Sequence, residues 1–124
     1  MSKNPSPENE LLPKRSSLDI YMEELMRYPL LSEEEEHSLL EKVVQKNNEE
    51  ARKLLIESNL RLVVKIAHQY KKHGVSLVDL VSEGNLGLMH AIELFDLSKK
   101  TRLSTYASFW IRQYIQKAIL KQGK

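Results

Sequence analysis

The chain has 124 residues, 41% of them hydrophobic and 29% charged, with a formal net charge of +2, a profile that suits one modest core beneath a well-solvated surface. It has no cysteine, which excludes disulfides and thiolate metal sites. It contains no run of about 18 apolar residues that could span a membrane, and its opening MSKNPSPENELLP lacks the apolar stretch of a secretory signal, so a cytoplasmic location without membrane attachment is expected.

Residues 1–16 are polar and interrupted by Pro5, Pro7 and Pro13, and they read as a disordered leader. A first helix is predicted from Ser17 to about Tyr28, with Leu18, Tyr21, Met22 and Leu25 at helical spacing and Pro29 as its stop. Ser32, followed three residues later by Glu35, predicts a capping box that opens a helix reaching about Gln45. The carboxylates of Glu33, Glu34, Glu35 and Glu36 sit in its first turn, where they favour the helix dipole. They read as a solvated cap, with an acidic interaction site as the other reading.

Asn47 and Asn48 make a short turn. Residues 49–72 read as helix, bent near Ser58 and Asn59, with Leu60, Val63, Val64, Ala67 and Tyr70 on one stripe and Gly74 as the stop. Ser76 and Asp79 then cap a helix to about Phe95. A basic turn, Ser98 to Leu103, leads into a last helix from Ser104 to about Lys121. No strand-like alternation or internal repeat is present, so an all-α, multi-helix bundle over 17–124 is expected.

On a wheel of about 100° per residue, Leu77, Leu80, Val81, Gly84, Leu88, Ala91, Ile92 and Phe95 share one side, the predicted buried face. Gly84 and Gly87 each cost a helix roughly 1 kcal/mol relative to Ala, a cost that fits close packing by a second helix better than a phosphate-cradling loop. The opposite side carries Val78, Asp79, Ser82, Asn85, Leu86, Met89 and Glu93. Apolar residues among acids there read either as a docking surface or as ordinary scattered exposure.

In the last helix, Ala107, Ile111, Ile115, Ala118 and Ile119 form the core side. Tyr106, Phe109, Trp110, Gln113, Gln116 and Lys117 fall on the other side. Rings interleaved with amides and a lysine suit single-stranded nucleic acid: rings stack on bases for about 1–3 kcal/mol each, amides read base edges and cations meet phosphates. Burial of the same rings beneath a neighbouring helix is the competing reading. Charge favours nucleic acid, because residues 97–124 hold seven basic and no acidic residues, against 12 basic and 17 acidic elsewhere. That asymmetry suggests two partners of different charge. His68 and His73 lie at or beyond a helix end, and His37 and His90 lack a companion ligand, so no metal or cofactor is expected. Nothing in the pattern resembles a nucleophilic triad, and an enzyme is not expected.

The strings NLRLVVKIAHQYKKHG (59–74), DLVSEGNLGLMHAIELFD (79–96) and RLSTYASFWIRQYIQKAI (102–119), with SLDIYMEELMRYPLLSEEEE (17–36) before them, closely resemble the core of the sigma-70 family and its preceding helix. The resemblance implies an all-helical sigma domain 2 over 17–124. It also implies two partners: core RNA polymerase, met at the clamp helices of its largest subunit, and promoter DNA, met at the non-template strand of the minus-ten element. The family's DLIQEGNIGLM-type helix places the polymerase contacts at Asp79, Ser82, Glu83, Asn85 and Met89, with Ser82 standing where Gln is usual. The tyrosine that stacks on the flipped upstream adenine matches Tyr106. The paired tryptophans that wedge the duplex fork match Phe109 and Trp110, and the polar positions that read the first base pair match Gln113 and Gln116. Thr105, Arg112, Lys117 and the basic turn Lys99, Lys100 and Arg102 complete the implied DNA-binding set. Five cations on a single strand would give log affinity a slope of about −3.5 against log salt.

Two departures stand out. Where the family often has GYKF-like sequence, this chain has Lys100, Thr101, Arg102 and Leu103, and so lacks two potential stacking rings. Leu103 and the front segment lean towards the heat-shock-like alternative branch. The family continues past the position of Lys124 into domains that thread the active-site cleft and read the minus-thirty-five element, so a fragment and a natural short form are both compatible with the sequence. The resemblance implies a sigma factor that binds polymerase and melts the minus-ten element. The alternative is a truncated interaction module that occupies polymerase or an anti-sigma partner without initiating transcription.

Overall fold

Three helix starts in this protein follow from a preceding side chain placed to catch an amide that a first turn leaves unpaired. Ser32 Oγ accepts from the Glu35 amide at 3.1 Å while Glu35 Oε1 accepts from the Ser32 amide at 2.9 Å, closing the expected capping box. Asn48 Oδ1 accepts from the Ala51 amide at 2.8 Å, and Ser76 Oγ from the Asp79 amide at 3.1 Å. The computed structural model describes residues 17–28 and 30–122; the expected leader and the stop at Pro29 lie outside them.

Six α-helices are found among the described residues, and no strand. They are α1 (Ser17–Leu25), α2 (Glu33–Lys46), α3 (Glu49–Ser58), α4 (Leu60–Gln69), α5 (Leu77–Leu94) and α6 (Leu103–Gln122), with a 3₁₀ turn at Lys71–His73 after α4. The expected first helix stops three residues early, as its last residues turn at 26–28. The expected bend near Ser58 is a full break. There Asn59 Nδ2 and Ser58 Oγ both donate to the Leu55 carbonyl, at 2.8 and 3.1 Å, taking up an acceptor that a continuous helix would have paired with a backbone amide. Asn47 at φ 51° ends α2, and Gly74 at φ 84° ends the 3₁₀ turn, a left-handed conformation open to glycine and tolerated by asparagine.

One core runs through the bundle. Leu40 and Val43 of α2, Leu55 of α3, Val63, Val64 and Ala67 of α4, Leu80, Leu88 and Ile92 of α5, and Leu103, Ile111 and Ile115 of α6 are all buried. The most extensive packing is between α5 and α6, and the two expected glycines permit it. A methyl group at Gly84 would lie 2.8 Å from Val63 Cγ1. One at Gly87 would lie 2.5 Å from the backbone carbonyl oxygen of Trp110, so at that point the α6 backbone itself occupies the space. This crossing fixes how the outer faces of the two helices stand relative to each other.

One expectation is corrected here. Glu36 is not part of a solvated cap, being only 6% exposed. Its carboxylate accepts from the Leu103 amide at 2.9 Å and from Arg102 Nε at 3.2 Å and Nη2 at 3.3 Å. A carboxylate from α2 therefore caps the N-terminus of α6, and it sits on the same stripe as Leu40 and Val43.

Candidate nucleic-acid interface and docking face

The N-terminal half of α6 carries three rings in different settings. Phe109 projects outward at 54% exposure. Tyr106 is half-buried and meets Phe95 edge-on, with centroids 5.9 Å apart at 75°. Trp110 is also half-buried, with Phe109 edge-on to it at 5.2 Å. The opposite side of the helix, Ala107, Ile111, Ile115 and Ala118, is buried as the periodicity predicts, and Ile119 is half-buried. The rings thus ride on the flank of the bundle and are not sealed inside it.

Tyr106 and Phe109 line a hollow of about 480 Å³ with Leu94, Phe95, Asp96, Lys99, Thr101 and Thr105. That volume is within the range of small-ligand pockets, and its make-up, apolar walls with a few polar groups, is typical of them. Asp96 shapes the rim. Its Oδ1 accepts from the Ser98 amide at 2.9 Å and the Ser98 hydroxyl at 2.7 Å, and these bonds hold its carboxyl below the usual carboxylate range. The turn they close presents Lys99 and Lys100 to solvent. Of the two positions where rings were expected in other family members, Thr101 opens on this hollow, whereas Leu103 is fully buried core.

The cations divide into two groups. Lys99, Lys100 and Lys117 are exposed and Arg112 is half-buried on α6. Arg102 differs. Its guanidinium is held by Glu36 and by the Leu31 carbonyl at 3.2 Å, and the bonds from Glu36 raise it above the ordinary arginine value. It arrives already paired. Gln113 is exposed, while Gln116 Nε2 donates to the Tyr70 hydroxyl at 2.9 Å, which anchors that amide to the C-terminal end of α4.

The outward face of α5 keeps its apolar residues in solvent: Val78 is 74% exposed, Leu86 47% and Met89 40%. Asp79 and Ser82 are exposed beside them, and Glu83 and Asn85 are half-buried. Further along the helix the face meets α3. Arg52 makes a two-point contact with Glu93 (Nε–Oε2 2.6 Å, Nη2–Oε1 3.2 Å) and also bonds Glu49 and Asn47, each at 2.7 Å. The bond from Glu93 is the main cause of its raised proton affinity. Leu86, Met89, His90, Glu93 and Tyr114 border an open groove of about 580 Å³ with Asn47, Glu49 and Arg52.

Sequence reasoning missed three contributors: Glu36, Arg52 and His90. Glu36 had a signal, its spacing of four and seven from Leu40 and Val43. Besides its own-helix partner Glu49, Arg52 reaches Glu93 on α5, and His90 meets Trp110 and Tyr114 on α6; no local spacing reveals pairings between helices. Among the described residues no group of three or more potential metal ligands is found, and no helix is long and apolar enough to cross a membrane.

Residues 55–124 match the family model described as Sigma-70 region 2. Over 105 residues, 85% of the chain, there is 50% identity to the RNA polymerase sigma factor RpoS of Coxiella burnetii, covering 30% of that protein. The RNA polymerase sigma factor SigA of Lactococcus lactis subsp. cremoris is 46% identical over 107 residues, 85% of the chain and 29% of the relative. SigA of Clostridium acetobutylicum is 48% identical over 105 residues, 85% of the chain and 28% of the relative. The chain thus spans less than a third of the length of these relatives.

Proposed function

Because this chain belongs to the sigma-70 family and carries its region 2 over residues 55–124, we propose that it binds core RNA polymerase and captures the melted minus-ten element of a promoter. Residues 17–124 act in this reading as one binding domain of the cytoplasm, without catalysis. The outward face of α5, with Asp79, Ser82, Glu83, Asn85 and Met89, docks on the clamp helices of the polymerase's largest subunit. That contact brings α6 alongside the non-template strand.

The hollow beside Tyr106 is the observation that carries the proposal. An extruded base enters it and stacks on the Tyr106 ring, with Thr105 and Thr101 at its edge. Phe109 and Trp110 close the upstream duplex end, Gln113 and Gln116 face the adjoining bases, and Lys99, Lys100, Arg112 and Lys117 neutralise phosphates. Extracting a base costs a few kcal/mol, and stacks worth about 1–3 kcal/mol each are large enough to offset it without fuel. Arg102, already paired, stays out of the phosphate count, so four cations give a slope of about −2.8 for log affinity against log salt.

The exposed Val78, Leu86 and Met89 among acids favour a second reading, a module that occupies polymerase or an anti-sigma partner and does not grip DNA. Titrating a single-stranded minus-ten oligonucleotide at several salt concentrations separates the two. Tyr106→Ala should weaken oligonucleotide binding by about 1–3 kcal/mol and leave polymerase docking intact. Absent or salt-independent binding would favour the interaction module, and equal loss of both activities would make Tyr106 a core residue.

A further inference from the structure

Trp110 is the protein's single tryptophan, and its indole lies against the imidazole of His90 on α5. The ring centroids are 4.3 Å apart and the planes are inclined by only 28°. His90 is held in turn by Tyr114, whose hydroxyl oxygen lies 2.7 Å from Nδ1. The Tyr114 ring stands 5.7 Å from the imidazole at 58°. Two steps of helix geometry build this ladder. Gly87 lets the Trp110 backbone approach α5, and His90, three residues on, lies under the indole. Tyr114, four residues after Trp110, comes next to the imidazole. One indole face is therefore covered, its N–H is buried without a protein partner, and Phe109 meets the ring edge-on.

We propose that His90 and Tyr114 are positioning residues that set the orientation of the Trp110 indole and so the preference for a duplex fork. The proposal rests on the reading of Trp110 as the fork wedge given above. A half-buried indole on a helix flank has several rotamers open to it, and a wedge must meet the terminal base pair in one of them. The imidazole selects that rotamer by stacking, and the tyrosine hydroxyl fixes the plane of the imidazole. The bond survives a change of protonation, because the hydroxyl can donate to a neutral Nδ1 or accept from a protonated one. A protonated imidazole is also attracted to the indole face. Glu93, Arg52 and Glu49, which border the same groove, are paired with one another. Positioning is therefore expected at both protonation states.

The test compares the full chain with His90→Ala, His90→Phe and Tyr114→Phe on two probes: a fork-junction DNA bearing a duplex end, and the single strand alone. Emission and acrylamide quenching of the one tryptophan are read alongside. For His90→Ala the expected result is a loss of about three- to ten-fold in fork affinity, unchanged single-strand affinity, red-shifted emission and stronger quenching. His90→Phe, which retains a stacking ring, should restore fork affinity and quenching. Tyr114→Phe should give a smaller loss in the same direction. Equal losses on both probes, or a fork preference that stays at the wild-type level while the tryptophan becomes exposed, would overturn the positioning role. A wild-type chain with no fork preference would overturn the wedge reading itself and this proposal with it, whereas absent single-strand binding as well would overturn the whole strand-capture function.

Discussion

Gly87→Ala probes the crossing on which the candidate interface depends. An added methyl carbon would lie 2.5 Å from the Trp110 carbonyl oxygen, 2.8 Å from its carbonyl carbon and 2.9 Å from Ile111 Cα. Optimal carbon–carbon separation is about 3.5–4.0 Å, so relief requires moving α6 away by the better part of an ångström. All three atoms are backbone, and no rotamer change can relieve the clash. Overpacking costs about 1–3 kcal/mol, and a backbone obstacle belongs at the upper end, while the better helix propensity of Ala returns roughly 1 kcal/mol. The net loss is about 2 kcal/mol, a fall of roughly 8 °C in Tm for a chain of this size, read by thermal melting in far-UV circular dichroism. Gly84→Ala is the internal comparison. Its nearest atoms are methyls of the buried, β-branched Val63, Ile111 and Ile115, the closest 2.8 Å away, and these are stiff at χ1, so it too should lose stability, but less than Gly87→Ala because no backbone atom stands in the way. If Gly87→Ala melts at or above the wild-type temperature, the close-crossing argument is wrong.

Glu36→Ala removes both the cap on the Leu103 amide and the partner of Arg102, and should cost about 2–3 kcal/mol in urea denaturation. Glu36→Gln should cost less because its amide oxygen still accepts from that N–H, and a cost for Glu36→Ala under about 0.5 kcal/mol would place the residue with ordinary surface positions. The turn at Asp96 should depend on acid. Its carboxyl is held low by Ser98, so its contribution is fully present above the usual carboxylate range, near pH 4, and is lost as pH falls through the lowered value. Nuclear magnetic resonance of the Ser98 amide should show that transition on the acid side of an ordinary aspartate, and its absence in Asp96→Asn. A Ser98 amide that titrates with ordinary carboxylates would contradict the assignment.

Much of the candidate site was legible because helices announce their faces. The helical periodicity along 77–95 placed Val78, Leu86 and Met89 outward, and all three are exposed. Along α6 the same reasoning separated Ala107, Ile111 and Ile115 from Phe109. It served less well for Tyr106 and Trp110, which a wheel puts outside the core but which lie half-buried against Phe95 and His90. A wheel knows one helix and cannot say what stands beside its flank.

The helical class, the caps at Ser32 and Ser76 and most buried stripes were therefore legible in the sequence, since each depends on residues within about four positions of one another, whereas the break at Ser58 and Asn59 raised the expected five helices to six. Tertiary structure alone decided that Glu36 would cap a helix more than sixty residues away, that Arg102 would be paired, and that Trp110 would lie on His90. These pairings depend on the rotation and separation at which two helices cross. Those quantities are set by interlocking side chains from both partners, and neither partner's local pattern contains them.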